Sequence, residues 1–487
     1  GVPMSPEVDP RVPITGEEGT HLTLTVNRNG QVLEFALVRR AVNIPIVTYD
    51  QVGNAGVIDC ISFGSTTAQS IQEAIRELDD DTAVWIVDLR SNPGGDSGAT
   101  ATSASLFTGD GIMLYFRNGA GQYNYSYTMP GFPHMTDKPV IVLTSEHSAS
   151  GSELFAGDIR TYKAGIALGQ RSFGKGTAQI IVDETNSTVM KDGEAMKITA
   201  YRFFSPDGAT NHIVGVLPTL LISPDNTSGA ALLLTNPKPA RAEGWLKLEI
   251  ADQTFYLNAR EAVKEENRAA FTELLEALPP SARLYKGSMT QTWTETSAAG
   301  VAREYGLSYQ ARTFSDTADS PYAREIDTLC AYLILNNADG TFSPAQNITR
   351  REFAAMVSNA LDLPLPDTAP RFSDITAGQS HAGDIVAMTD MGFLSGRGDG
   401  TFGPDDPITY QEMAACLSRV AAWTSMDGYD LDNAGLLPEE LLEYYSYADW
   451  ARVPARNLDA LDALIPGPAP TDPVTREVAP APHGRQM

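Results

Sequence analysis

The sequence predicts an α/β core followed by an array of helical repeats, and three observations carry that reading. Short apolar runs alternate with helical patterns, first between residues 57 and 89 and again between residues 139 and 168. The strand that ends the second stretch is followed by a lysine between two glycines. The last third of the chain aligns with itself.

Bulk properties bound the function. A chain of 487 residues is enough for two to four domains. A formal net charge of −26 argues against nucleic acid and anionic membrane surfaces as partners. Cys60, Cys330 and Cys416 are far apart, with no metal spacing and no disulfide framework, and Cys60 sits in an apolar run as an expected buried thiol. No stretch is long and apolar enough to cross a bilayer. Any export signal is expected upstream of Gly1 or already removed.

Taken in order, residues 1–42 hold two alternating runs, 22–26 and 32–38, around Asn27-Arg28-Asn29-Gly30, which predicts a β-hairpin with an Asn-Gly turn. Residues 43–222 form the expected core. A strand (57–63), a helix (66–78) and a strand (83–89) lead into Asp88-Leu89-Arg90-Ser91-Asn92-Pro93-Gly94-Gly95. Glycines after a strand allow close backbone approach, and free N–H groups there can stabilise an oxyanion; a tight turn is the plainer reading. The run at 139–144 is a buried strand, Ser148-Ala149-Ser150-Gly151-Ser152 a small-residue corner, and 153–162 a helix. A further strand (164–168) precedes Phe173-Gly174-Lys175-Gly176, and 196–208 is a strand and turn. Residues 223–310 offer a hairpin (245–250 with 253–257) and a helix (261–278), read as a spacer or small α+β domain without chemistry of its own.

Serine is a poor nucleophile at neutral pH and needs a base beside it. Lysine serves as that base when burial leaves its amine neutral. Serines at a strand–helix corner are also common N-caps, and Ser152 before Glu153 fits that role. A histidine triad is the competing arrangement: His147 lies three residues before Ser150, and Asp88 ends a strand. A histidine on the incoming strand end need not reach the hydroxyl, and Lys175 is the preferred base.

The run Ser148 to Glu153, the run Phe173-Gly174-Lys175-Gly176-Thr177-Ala178-Gln179 and the run Asp88 to Gly95 together resemble the carboxyl-terminal processing proteases, tail-specific peptidases with a Ser–Lys pair. The resemblance spans roughly residues 15–222. It implies a ClpP/crotonase-like α/β core, with the N-terminal hairpin as part of a PDZ-like module. It makes Ser150, twenty-five positions before Lys175, the nucleophile, Lys175 the base, and Gln179 the residue that holds the lysine. The N–H of Gly151, with that of Gly94 or Gly95, forms the implied oxyanion hole. Gly151 stands where the family usually has alanine, and Asp96 where it has an apolar residue. Residues 212–218 resemble the family's closing segment. The implied partner is a protein or peptide substrate, with no metal or organic cofactor.

The repeat domain, residues 311–487, contains copies at about 314–363, 372–423 and 447–480. The first two share Phe-Ser-Asp, then Asp-Gly-Thr-Phe (339–342 and 399–402), then Ile-Thr at 348–349 and 408–409. They read as helix, Asp-Gly turn, capped helix, with Thr349, Thr409 and Thr475 as N-caps. The third copy is degenerate and stops short. These repeats resemble S-layer homology repeats, which hold exported proteins to a cell-wall polysaccharide. The resemblance implies polymer contact by Arg350 and Arg476, by Asp316 and Asp374, and by Trp450; Tyr410 replaces the arginine in the second copy. Arginine suits an anionic polymer because its fork meets carboxylates in pairs. A helical spacer, or repeats that bind protein partners, are the competing readings.

The predicted protein is thus a wall-anchored serine endopeptidase outside a Gram-positive-type cell. A catalytically silent wall-bound binding protein on the same fold is the rival, and an intact Ser150–Lys175–Gln179 set argues against it.

Overall fold

The computed structural model describes residues 14–28, 30–40, 45–128, 132–191, 193–336, 340–366, 371–376 and 378–480. The chain divides into two units, residues 1–46 and 47–487.

In the first unit, β1 (His21–Arg28) pairs antiparallel with β2 (Gln31–Val38), from His21 opposite Val38 to Arg28 opposite Gln31. This is the expected hairpin. Gly30, at φ 85°, takes the left-handed turn position, while Asn29 lies outside the described residues. Val32, Phe35, Leu37 and Val38 are exposed. A hairpin of two strands does not by itself define the PDZ-like module that the resemblance implied.

The second unit begins with β3 (Val47–Val52), β4 (Ala55–Cys60), α1 (Thr67–Leu78), β5 (Val84–Asp88) and α2 (Ser97–Thr108). Next come β6 (Ile112–Asn118), β7 (Tyr123–Tyr127), β8 (Val140–Thr144), α3 (Gly151–Thr161), β9 (Gly165–Gly169), β10 (Thr177–Asp183), β11 (Ala195–Phe204) and β12 (Leu220–Leu221). Six strands form one sheet in the order β12-β9-β8-β5-β4-β3, parallel except for the β3–β4 pair. Its central strands are covered on both faces, which is why β8 reads Val-Ile-Val-Leu-Thr with every residue buried. An antiparallel sheet, β10-β11-β6-β7, packs Leu114 and Phe203 against Leu154 of α3. Helix α2 escaped the sequence reading because Thr100 to Phe107 are all buried, so no amphipathic period marks them. Asp96, unexplained in the sequence, is its N-cap and accepts from Ala99 N at 2.7 Å.

Residues 223–310, read as a spacer or a small α+β domain, consist of both helices and strands. They form α4 (Pro224–Leu233), β13 (Trp245–Ile250), β14 (Gln253–Asn258), α5 (Ala259–Ala262), α6 (Glu265–Glu276), β15 (Arg283–Gly287), β16 (Trp293–Thr296) and α7 (Ala298–Tyr305). Leu246, Leu248, Phe255, Phe271 and Leu274 from this region share one core with Ile86, Ile141, Leu143, Ile166 and Leu168 of the six-stranded sheet. The region is the cover of that sheet, and both lose their core if separated.

The repeats contribute α8 (Ala323–Ala331), α9 (Arg350–Leu361), α10 (Ala382–Asp390), α11 (Tyr410–Thr424), α12 (Met426–Asp432) and α13 (Asp449–Ala460). The expected caps form at α9 and α11: Thr349 N and Thr409 N each donate to the glutamate three residues on, at 2.9 Å. Three equivalent strands of backbone close a ring. Ile348 N donates to Val474 O (2.9 Å), Val474 N to Ile408 O (2.9 Å), and Ile408 N to Ile348 O (3.1 Å). The third copy, degenerate in sequence, is therefore a full partner at this junction. Thr475 caps no helix among the described residues; turns follow it to Pro480. Asp339 of the first Asp-Gly turn lies outside the described residues.

Candidate active site

Because β5 and β8 are parallel neighbours, the loops after them leave the same edge of the sheet. The two loops are bonded together. Ser148 Oγ donates to Leu89 O (2.7 Å), Ser152 Oγ to Asn92 O (2.7 Å) and Ser145 Oγ to Arg90 O (2.6 Å), while Ala149 N donates to Asn92 O (3.1 Å). Ser148 and Ser152 are buried and fully occupied in joining the loops. Ser150, between them, is half-buried and sits at the N-cap of α3, in a capping box with Glu153.

Ser150 also has φ 56° and ψ −112°, a backbone state that costs a non-glycine residue about 1–3 kcal/mol. The surroundings impose it. Ser150 N donates to Glu153 Oε2 at 2.7 Å, and Glu153 N returns a bond to Ser150 O at 3.0 Å.

Glu153 joins the serine corner to the lysine. Its Oε2 also accepts from Lys175 N (2.8 Å), and its Oε1 from Gly174 N (2.8 Å) and Ser172 Oγ (2.5 Å). One carboxylate oxygen thus bonds the backbones of both Ser150 and Lys175. Burial pushes the Glu153 carboxyl up, and its hydrogen bonds, led by that from Ser172, oppose that shift. Ser172 Oγ also accepts from Val216 N (2.6 Å), and the four donors around the Glu153 carboxyl favour its ionised form. The signal in the sequence is the Ser-x-x-Glu spacing of 150 and 153, which an ordinary helix cap shares.

Lys175 is half-buried, and its Nζ forms no ion pair among the described residues. Gln179, expected to hold it, donates instead to Thr177 Oγ1 and Thr199 Oγ1, each at 3.4 Å. His147 is 75% exposed and lies 3.8 Å from Glu146, while Asp88 is paired with Arg90 at 2.6 Å. Neither is set up for a triad with Ser150.

Gly94, at φ 102°, passes against the serine: a Cβ there would lie 2.7 Å from Ala149 O and Ser150 Cβ, and 2.8 Å from Gly151 N. Gly94 N is already bonded to Asn92 Oδ1 (2.8 Å), whereas Gly95 N and Gly151 N have no partner among the described residues.

The repeat residues divide differently from the expectation. Arg350 is corrected outright: its side chain is 3% exposed, pairs with Glu412 (2.7 Å), donates to Phe402 O and Ser395 O, and lies over the Phe402 ring. It locks the first repeat to the second and has no surface left for a polymer. Asp316 and Asp374 hold turns, each accepting two backbone N–H groups, from Phe342 and Ser343 and from Phe402 and Gly403. Tyr410 is buried and donates to Ile465 O. Arg476 pairs with Glu352 at 2.5 Å but keeps 27% of its side chain exposed, and Trp450 is 52% exposed.

Known proteins fit this arrangement. Residues 54–222 match the model of peptidase family S41, and residues 313–354 and 371–414 match the S-layer homology domain. The chain therefore carries an S41 peptidase domain followed by S-layer homology domains. A probable CtpA-like serine protease of Staphylococcus epidermidis is 30% identical over 212 residues, 43% of this chain and 42% of that protein. A carboxy-terminal-processing protease of Bartonella bacilliformis is 30% identical over 217 residues, 42% of this chain and 48% of that protein. The chain thus spans less than half the length of either relative. Among solved structures, the photosystem II D1 C-terminal processing protease is similar over 43% of this chain and 57% of that one, at 25% identity and a TM-score of 0.34.

Proposed function

We propose that this chain is a serine endopeptidase of the carboxyl-terminal processing type, held at the cell wall by its repeats. The observation that carries the reading is Glu153 Oε2, which bonds Ser150 N and Lys175 N at once. Ser150 Oγ attacks the substrate carbonyl while Lys175 takes its proton; the same lysine then protonates the leaving amine, and water clears the acyl-enzyme. Gly151 N and Gly95 N meet the oxyanion, a choice supported by the engagement of Gly94 N with Asn92. The substrate is a protein or peptide.

The test is hydrolysis of β-casein by the chain and by Ser150→Ala and Lys175→Ala. Cleavage by the parent and loss in both variants is expected; cleavage by Ser150→Ala sinks the reading. For the repeats, Arg476 and Trp450 remain exposed enough to meet an anionic wall polymer. Equal retention on wall sacculi with and without their secondary polymer would refute that anchor.

A further inference from the structure

The segment that carries Lys175 is held from two sides. Glu153 bonds its N–H groups, and residues 203–216 bond its carbonyls. Ile213 N donates to Gly174 O (2.8 Å), Asn211 Nδ2 to Lys175 O (3.5 Å), and Phe203 N to Gly176 O (3.0 Å). The contact needs glycines: a Cβ on Gly176 would lie 2.5 Å from His212 Cβ, and one on Gly174, at φ 89°, would meet the Ile213 carbonyl.

The far side of the same 203–216 segment is bonded to the end of α11, which closes the second S-layer homology repeat, and to the start of α12 just after it. Thr210 N donates to Thr424 O (2.8 Å) and Met426 N to Gly208 O (2.9 Å), with Ala209 and Ser425 paired as an antiparallel bridge. The His212 ring stacks on Trp423, centroids 5.7 Å apart at 27°. Arg202 donates to Trp423 O (2.6 Å) and lies 4.2 Å over the same ring. Helix α12 adds Tyr429 under the Arg117 guanidinium at 3.5 Å, and Asp430 accepting from Tyr123 Oη at 3.1 Å. Val214 is buried in the core of the repeats.

We infer that the second repeat is a working part of the active site, in which the C-terminal end of α11, through Trp423 and His212, positions Lys175. The inference rests on the Ser150–Lys175 reading. Trp423 and His212 are positioning residues, since what they hold is the loop that fixes the lysine's backbone. A lysine base must come within hydrogen-bond reach of the serine hydroxyl, and a shift of about 1 Å is enough to lose a hundredfold in rate. Helix α11 is about 22 Å long at 1.5 Å per residue. Its first residue, Tyr410, lies at the junction of the repeats, and its last turn lies on the 203–216 segment that bonds the lysine loop.

The experiment compares the full chain with Trp423→Ala, Trp423→Phe and the exposed-site control Leu437→Ala, by hydrolysis of a quenched peptide taken from a casein digest and by hydrogen exchange. Trp423→Ala is expected to lower kcat about ten- to a hundredfold with KM within about threefold. It is expected to speed exchange of the Gly174 and Lys175 amides about tenfold. Trp423→Phe restores both, and Leu437→Ala changes neither. If Trp423→Ala also speeds exchange across α9, the repeats have opened as a whole and His212→Ala is read by the same criteria. Unchanged exchange at Gly174 and Lys175 overturns the inference whether or not the chain cleaves anything. Cleavage by Ser150→Ala overturns the catalytic reading and leaves the exchange result standing.

Discussion

Replacing Glu153 by glutamine isolates what its charge and acceptor geometry do, because the shape is kept. Four donors converge on the carboxylate, two per oxygen. An amide nitrogen must replace one oxygen, and the less costly orientation turns it towards Ser172 Oγ, which can rotate to accept, and Gly174 N, which cannot. One charge-assisted bond is then lost, about 1.5–3 kcal/mol, and those from Ser150 N and Lys175 N weaken to neutral bonds of about 1 kcal/mol each. Relief of burying a charge, the cause that pushes the carboxyl up, offsets part of this. The net loss of unfolding free energy is expected to be about 2–4 kcal/mol. Because the bonds that weaken are those that set Ser150 against Lys175, kcat is expected to fall about ten- to a hundredfold. Urea unfolding and casein hydrolysis on the same preparation check both. A Glu153→Gln variant within threefold of the parent in kcat, and within experimental error in unfolding free energy, would show that the carboxylate does not organise this site.

Three further outcomes follow from the geometry. Gly94→Ala places a methyl against Ala149 O and Ser150 Cβ at a φ of 102°, and is expected to abolish hydrolysis; retained cleavage would place the serine elsewhere. Asp158 is buried with both oxygens unbonded, and burial, with Asp207 adding, holds its carboxyl well above the ordinary range. The folded state therefore binds this proton more tightly than the unfolded chain. Its contribution to stability is whole below about pH 4 and is lost as pH rises through the folded value. Asp158→Leu is expected to raise unfolding free energy at pH 8 by about 1–3 kcal/mol and to flatten its fall with rising pH, read by urea titration at several pH values. Arg350→Ala leaves Glu412 Oε1, Phe402 O and Ser395 O without the Arg350 donor and is expected to destabilise the chain by about 2–4 kcal/mol, measured the same way; an unchanged unfolding midpoint would return Arg350 to the polymer groove.

What was legible in the sequence was what leaves a local trace. The strand at 140–144 shows its two-sided burial as an unbroken apolar run, and the hairpin at 21–38 shows its turn in Asn-Gly. Ser150 and Lys175 stood out because their motifs are specific. Glu153 did not, because a glutamate three residues into a helix is also what an ordinary cap requires. Arg350 was misread because a sequence shows a side chain's chemistry and not its burial; in Thr-Arg-x-Glu, a groove ligand and an interlock look alike. The role of residues 223–310 was hidden for a related reason. Alternation in 245–250 says that one face is buried, but not that the burying surface is a sheet built from residues 84–168.

That last point changes what counts as the unit of this protein. Sequence motifs divide it at about 222 and 310, yet neither boundary is a gap in packing. Across the first, Ile86 and Leu143 lie in one core with Leu248 and Phe271; across the second, Val214 lies in the core of the repeats with Ile348 and Phe402. The same 210–216 segment that enters the repeat core also bonds the backbone of the lysine loop. Side chains in such a core fall into few discrete arrangements rather than a continuum. A peptidase domain and an anchor domain that had merely been strung together would meet through a polar linker with few contacts across it. Here the contacts across the boundary are hydrogen-bonded backbone and half-buried stacked rings, and they fall on the segment that bonds the backbone of residues 174–176. The repeats are therefore built into the same scaffold as the peptidase domain, packed on the segment that bonds the backbone of residues 174–176.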